Sequence, residues 1–427
     1  MISLILFGLF TLLLLIGVPV GISLGLSAMA ALSYGQLVGS SYLAQSLVTS
    51  IDSFPLMAVP FFVLAGDLMG HGGISRRLLD VGDLMFGRMT GGLGLVAVAT
   101  CMFFAAISGS GPATVAAIGG ILLPAMNQRG YDRNFSVGLV ASAGCIGVII
   151  PPSIPMVIYS TSSNASVSSM FLAGVIPGLM IGFALMITAW LIARRRRFLG
   201  VERRYSRAEV LRILSEAKWA LLVPVIILGG IYGGIFTPTE AAAVAVMYGF
   251  FVGTFVYKDL KFAMLGKVLA QSSLTTATVM LIVGTATVFG RVLAIEGIPV
   301  QLANSIVAIT DNPLWILLLV NVLFLVVGCF METLAAIIIL SPILLPVMLK
   351  IGVDPIHFGI IMITNLAIGM VTPPVGINLF VGSRIGGTSL EGAARGALPF
   401  LAVMLAVLMV VTYVPEVSLW LPNLLMK

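Results

Sequence analysis

The sequence predicts an all-α polytopic membrane protein built from two inverted repeats, each with about five transmembrane helices and a re-entrant hairpin. Three observations predict it. First, 59% of the 427 residues are hydrophobic and 9% charged, against roughly 25% charged in a soluble domain. So few charges cannot cover a water-exposed surface, and the bilayer must be the solvent. Second, breakers recur at one offset. Ile121-Leu122-Leu123-Pro124 returns as Ile343-Leu344-Leu345-Pro346, Pro151-Pro152 as Pro373-Pro374, Gly147 as Gly369, and Gly174 with Pro177 as Gly396 with Pro399, always 222 positions apart. Third, equivalent loops differ in positive charge. Loop 75–90 carries Arg76, Arg77 and Arg88, whereas its counterpart, about 299–313, has only Asp311 as a charged residue. Segment 36–53 has no Lys or Arg, whereas 258–267 has Lys258, Lys261 and Lys267. Cytoplasmic loops collect Lys and Arg, so the halves point opposite ways and each crosses an odd number of times.

Residues 1–193 form the first repeat. Its crossings fall near 2–18, 19–35, 54–73, 136–160 and 169–193, at ~20 residues per span. Met1 to Gly17 lacks the basic start of a secretory signal and reads as a retained membrane helix. The stretch 2–35 could instead be one long helix. An extra apolar segment, 93–126, has both ends on one side and reads as a re-entrant hairpin. Residues 194–218 form a basic linker, opened by Arg194-Arg195-Arg196-Arg197 and continued by Arg203, Arg204 and Arg207. It serves as a topology anchor in the cytoplasm. Residues 219–427 form the second repeat, with crossings near 219–236, 239–257, 268–295, 356–382 and 397–415 and a hairpin at 314–349. Net charge is +6, placed as topology requires, and implies no nucleic acid. Cys101, Cys145 and Cys329 lack metal-ligand spacing and read as small buried residues.

The breakers carry the chemistry. Hairpin one contains Ser108-Gly109-Ser110-Gly111-Pro112-Ala113-Thr114. Open backbone at membrane depth survives only when buried in protein or lining a cavity. Freed carbonyls and hydroxyls are hard oxygen ligands for a small cation, and helix N-termini there favour an anion. The fourth crossing breaks across Gly144 to Ser153, where Pro151 and Pro152 remove two donors. Its equivalent runs Gly369-Met370-Val371-Thr372-Pro373-Pro374-Val375-Gly376, followed by Asn378. Hairpin two contains Gly328-Cys329-Phe330-Met331-Glu332-Thr333, with Glu332 opposite Ser110. One cation site per repeat follows, with a substrate site between them.

Asp67 and Arg291 are ionisable residues inside apolar stretches, and equivalents once the register shifts by two. Such charges face a cavity or a partner, or else reach the interface from a helix end. Glu332, at a hairpin tip, is the strongest functional candidate. Glu240 caps a helix after Pro238. His71 and His357 are too few and too separate for a metal site. A channel would need a ring of charge or a repeated filter motif, and an enzyme a nucleophile–base pair or metal cluster; the sequence displays neither.

Ser108 to Thr114, Gly147 to Pro155, Thr237-Pro238-Thr239-Glu240-Ala241-Ala242 and Gly369 to Asn378 resemble the large membrane subunit of tripartite ATP-independent periplasmic (TRAP) transporters along essentially the whole chain. The resemblance implies a bacterial inner-membrane symporter of elevator-type architecture, driven by sodium as coupling ion and needing no cofactor. It implies a small membrane subunit, a periplasmic substrate-binding protein, and organic-anion substrates such as dicarboxylates, keto acids or sialic acid. Carried onto this sequence, a first sodium site uses Ser108, Ser110, Gly144, Val148 and Pro151, and a second uses Gly328, Thr333, Gly369 and Thr372. Ser153, Asn378 and Asp67 stand as substrate contacts by position. No small-subunit segment precedes the first crossing, so a separate small subunit is expected.

Overall fold

The computed structural model describes residues 1–35, 40–198, 205–301, 304 and 312–426. Asp311, Arg203 and Arg204 lie outside them. The described residues are helical throughout, with α1 Ile2–Leu15, α2 Val20–Gly35, α3 Ser40–Ile51, α4 Ala58–His71 and α5 Ile74–Phe86 leading the chain. The stretch 2–35 is two helices packed on each other. Gly17 turns the chain at φ +85° and Pro19 cannot donate to a continuing helix.

The breaker-bearing elements follow twice. In the first repeat they are α6 Gly92–Ser108, α7 Gly111–Gln128, α8 Arg133–Gly144, α9 Ile154–Ser163 and α10 Val167–Arg196. Then come α11 Arg207–Tyr232, α12 Pro238–Phe251 and α13 Phe262–Ile295. The second set is α14 Pro313–Phe330, α15 Thr333–Lys350, α16 Pro355–Gly369, α17 Ile377–Gly386 and α18 Leu390–Tyr413, and α19 Glu416–Leu425 closes the chain. Helices α7 and α15 coincide end to end at the offset of 222. Their partners agree within a few residues. Even the caps repeat: Asp132 accepts from Phe135 N at 2.8 Å, and Asp354, 222 positions on, accepts from Ile356 N at 2.7 Å. Each satisfies a donor that a helix start leaves open.

The repeats interlock reciprocally. Helices α7 and α8 pack on α17 and α18, while α15 and α16 pack on α9 and α10. This is the exchange of partners that a two-fold relation requires. Cys145 Sγ donates to Ala367 O at 2.9 Å, and these two positions are themselves 222 apart. A residue that touches its own equivalent lies beside the rotation axis.

The sense of the second repeat follows from which loops meet. Arg77, just after the third crossing of repeat one, pairs with Asp259, just after the second crossing of repeat two. Its guanidinium also lies 4.1 Å from the Tyr257 ring centre. Arg196 reaches Asp132 at 3.6 Å, and Gly91 N donates to Phe198 O at 3.0 Å. Thus the Arg- and Lys-bearing loops of both halves join at one end. Repeat two is one crossing out of phase with repeat one, hence inverted.

Two segments read as loops are helical. Within 36–53 lies α3, and within 75–90 lies α5, whose apolar positions Ile74, Leu78, Leu79 and Val81 are buried. Both are amphipathic rather than uniformly apolar; residues 44–51 of α3 are apolar enough to span only together with 55–71, across a 72° bend. Six helical segments among the described residues are apolar and long enough to span: α10, α12 with its π-helical extension to Val256, α13, α14, α15 and α18. By length α14 and α15 qualify as crossings. Their junction, however, meets the tip of hairpin one inside the molecule, so they turn back.

Candidate functional site

Both hairpin tips open onto one cavity of about 500 Å3, within the usual ligand-pocket range of roughly 300–1,000 Å3. Tip one contributes Ser108 to Ala113 and tip two Glu332 to Leu334. The broken helices add Val148, Ile154, Pro155 and Met370, and α4 adds Gly66 and Asp67. The facing wall is α13, with Gln271, Thr275 and Thr278.

At tip one the chain turns at Gly109, with φ +59°. Its carbonyl accepts from Ile154 N at 3.4 Å, and an added Cβ would sit 2.9 Å from Pro152 O. Only glycine fits between tip and break. Ser110 then starts α7 from an extended conformation. Thr114 Oγ1 donates to Ser110 O at 2.7 Å and lies 2.9 Å from Ser108 Oγ. Ser110 O and Thr114 Oγ1 press on Gly147 of the broken helix, where a Cβ would meet them at 2.7 and 2.6 Å. Two backbones thus approach closely enough for carbonyls and hydroxyls to converge.

Tip two solves the same problem differently. Glu332 caps α15, accepting from Leu334 N at 3.1 Å and Ala335 N at 3.4 Å. Gly328 and Gly369 touch backbone to backbone, so a Cβ on Gly369 would lie 2.5–2.7 Å from Gly328 atoms. Thr372 Oγ1 donates to Ile368 O at 2.8 Å. Thr333 Oγ1 is buried with no hydrogen-bond partner.

Of the residues singled out from sequence, Asp67, Ser108, Ser110, Val148 and Thr333 line the cavity. Gly144 sits behind tip one, where a Cβ would lie 3.3 Å from Gly111 O and from Asn378 Nδ2. Gly328 and Gly369 form the corresponding contact behind tip two, and Thr372 N donates to Gly369 O at 3.0 Å. Pro151 is buried within the break. Ser153 is buried and donates to Val148 O at 2.6 Å, closing the break locally. Asn378 Nδ2 donates to Ala141 O at 3.2 Å, while its Oδ1 is buried without a partner. Each tip constellation therefore holds one orphaned oxygen, Asn378 Oδ1 behind tip one and Thr333 Oγ1 at tip two. A buried acceptor left unsatisfied costs about 1–3 kcal/mol, which ligation of a cation would relieve.

Electrostatics sharpens this. Two carboxylates, Asp67 and Glu332, face the cavity, and none of its described lining residues is Lys, Arg or His. Asp67 is held against α13 by Ser272 Oγ, which donates to it at 2.5 Å. Glu240, by contrast, closes a capping box with Thr237 and has a structural role. The polar face of α13 escapes the hydropathy reading, which treats 268–295 as a plain crossing. The available signal is the run Gln271-Ser272-Ser273, then Thr275, Thr276 and Thr278, inside a long apolar helix.

A profile described as "Tripartite ATP-independent periplasmic transporter, DctM component" matches residues 7–417. The chain is 51% identical to the isethionate TRAP transporter permease protein DctMQ of Oleidesulfovibrio alaskensis, over 97% of this chain and 66% of that protein. It is 46% identical to the C4-dicarboxylate TRAP transporter large permease protein DctM of Pseudomonas aeruginosa, over 94% of each. Among solved structures, the YdaH transporter of Alcanivorax borkumensis superposes with a TM-score of 0.64 at 14% identity, covering 88% of this chain and 89% of that one. That likeness bears on the fold alone.

Proposed function

This chain belongs to the DctM component family of tripartite ATP-independent periplasmic transporters, and from that premise we propose that it is the membrane permease of a sodium-coupled organic-anion symporter. One observation carries the proposal: the cavity where both hairpin tips meet is lined by two carboxylates and, among its described lining residues, by no basic side chain. With both carboxyl groups ionised, an anion placed there is repelled unless cations enter with it. Like charges at close range disfavour each other by several kcal/mol at reduced dielectric. The charge of the cavity itself is what supports cation coupling.

The oxygen-rich tips would hold the cations. The first site would use Ser108, Ser110, Gly144, Val148 and Pro151, with the Asn378 side chain close to Gly144. In the second, Thr333 and Thr372 supply hydroxyls, and the Gly328–Gly369 contact supplies main chain. The substrate would then lie between the tips, against Asp67 and the polar face of α13. Ser153 and Asn378 would act from behind, by fixing the shape of the breaks. Tips and broken helices would travel together along α13 as the elevator body.

The relatives' names point to small organic anions, isethionate and C4-dicarboxylates among them. Dicarboxylates, keto acids and sialic acid are the candidate cargo for this chain. A periplasmic binding protein would deliver it, a separate small membrane subunit would brace α1 to α5, and the assembly would sit in the inner membrane. The basic end would face the cytoplasm. A cysteine introduced at position 200, outside the described residues, then labels only from that side; periplasmic labelling overturns the orientation. The central test is uptake of candidate acids into proteoliposomes holding this chain, the small subunit and the binding protein. Uptake should require an inward sodium gradient. Uptake indifferent to sodium would sink the proposal.

A further inference from the structure

The seam between α13 and the moving elements continues past the first cavity into a second, of about 370 Å3. The same three helices bound both, in the same order. Helix α13 gives residues up to Ile282 to the first and Val283 to Ala294 to the second. Helix α9 gives Ile154 and Pro155, then Ile158, Thr161 and Ser162. Helix α15 gives Thr333 and Leu334, then Ile338 and Pro342. These are successive chambers along one groove. At 1.5 Å per residue, Thr278 and Arg291 lie about 20 Å apart along α13.

The second chamber reverses the charge of the first. Arg291 lines it, with hydroxyls from Ser50, Ser53, Thr161, Ser162 and Thr287, and no described lining residue is acidic. Arg291 Nη1 donates to Ser46 Oγ at 3.3 Å, which orients the guanidinium from α3. Gly290 beside it lets α15 approach, with Pro342 Cγ 3.7 Å from where a Cβ would stand. A planar guanidinium among hydroxyls is a donor set for a carboxylate or similar oxyanion. Asp67 and Arg291, equivalent in sequence once the register shifts by two, line one chamber each.

We propose that the second cavity is a vestibule that binds a small organic anion through Arg291, at the far end of the groove from the hairpin tips. It rests on the transport reading above, since it places a waiting position for the same cargo on the opposite side of the tips. The chamber is large enough for a dicarboxylate, and its charge attracts what the first chamber, without cations, repels.

The test is labelling of Ala294→Cys, an exposed lining position, in the full-length chain in proteoliposomes. The native cysteines are buried, and the parent chain serves as control. The probes are a negatively charged sulfonatoethyl methanethiosulfonate and its positively charged trimethylammonium counterpart. The anionic reagent should react at least about fivefold faster, relative to free thiol, and succinate should slow it. With Arg291→Gln the preference should fall towards unity and succinate protection should vanish; Arg291→Lys should keep most of the preference. No labelling, no preference, no protection, or Arg291→Gln behaving as the parent each overturns the vestibule. Should Arg291→Gln fail to fold, succinate protection in the parent and the Arg291→Lys ratio still decide. Sodium-driven uptake without preference or protection sinks the vestibule alone. Preference and protection with no uptake of any acid sink the transport reading alone.

Discussion

The two chambers share their walls and differ in charge. One has Asp67 and Glu332 and is crossed by both hairpin tips; the other has Arg291 and hydroxyls and no tip. Both lie on α13, whose two halves carry different polar sets: Gln271, Thr275 and Thr278 on one, Thr287 and Arg291 on the other. The difference teaches that binding and attraction are separate tasks. A chamber that must accept anion and cation together cannot carry a fixed positive charge, because that charge would take the place of the coupling ion. A chamber that only gathers the anion has no such constraint. In the lipid-surrounded interior, where charges are costly, placing each sign in its own chamber avoids neutralising either.

The contrast can be broken most severely at the backbone contacts that form the tip sites. Gly369→Val and Gly147→Val each drive a side chain into backbone or hydroxyl atoms within 2.7 Å. Each should destabilise by about 1–3 kcal/mol or more. Gly120→Ala, with nothing within 4 Å of its added carbon, is the tolerated control. Thermal unfolding in detergent measures all three; a stable, active Gly369→Val would mean the tip does not rest on the break. The next effect concerns charge. Asp67→Asn and Glu332→Gln should each cut sodium-driven uptake about tenfold, equivalent to about 1.4 kcal/mol. Half-saturating sodium unaltered in both would remove the case for cation coupling.

Hydroxyl deletions distinguish ligand from scaffold more finely. Ser110→Ala and Thr372→Ala should raise half-saturating sodium roughly threefold or more, since a lost hydrogen bond to a charged group is worth about 1.5–3 kcal/mol less any replacement by water. Thr333→Val should do the same while leaving sodium-free stability equal or higher, because its hydroxyl has no protein partner. A stability loss without a sodium effect would give Thr333 a purely structural role. The smallest effect lies outside both chambers. Thr237→Ala removes the cap of α12 and should cost about 1 kcal/mol of stability, with the KM for substrate unchanged. A shifted KM would give the Thr237–Glu240 cap a functional role beyond the structural one.

Much of the fold is readable one residue at a time. The hairpin arms, both breaks and the capping aspartates fall where Pro, Gly and Asp act on their own backbone, and such rules need no tertiary partner. The helices α3 and α5 are less readable, because their faces divide between buried and exposed and their spacing resembles a polar loop. Of the candidate site, the tip residues and Asp67 were named from position. The α13 wall and the orphaned oxygen of Asn378 were not, since both depend on residues more than a hundred positions away.

Composition, breakers and loop charge alone determined that this chain lives in a bilayer, repeats with inversion, and interrupts its helices at four matched places. Those properties follow from local chemistry: transfer to lipid, missing donors, and the sidedness of positive charge. Only the tertiary structure decided that both tips share one chamber, that Cys145 sits beside the two-fold axis, and that Asp67 and Arg291 face different chambers along one helix. Packing sets which distant side chains converge, and no single segment carries that information.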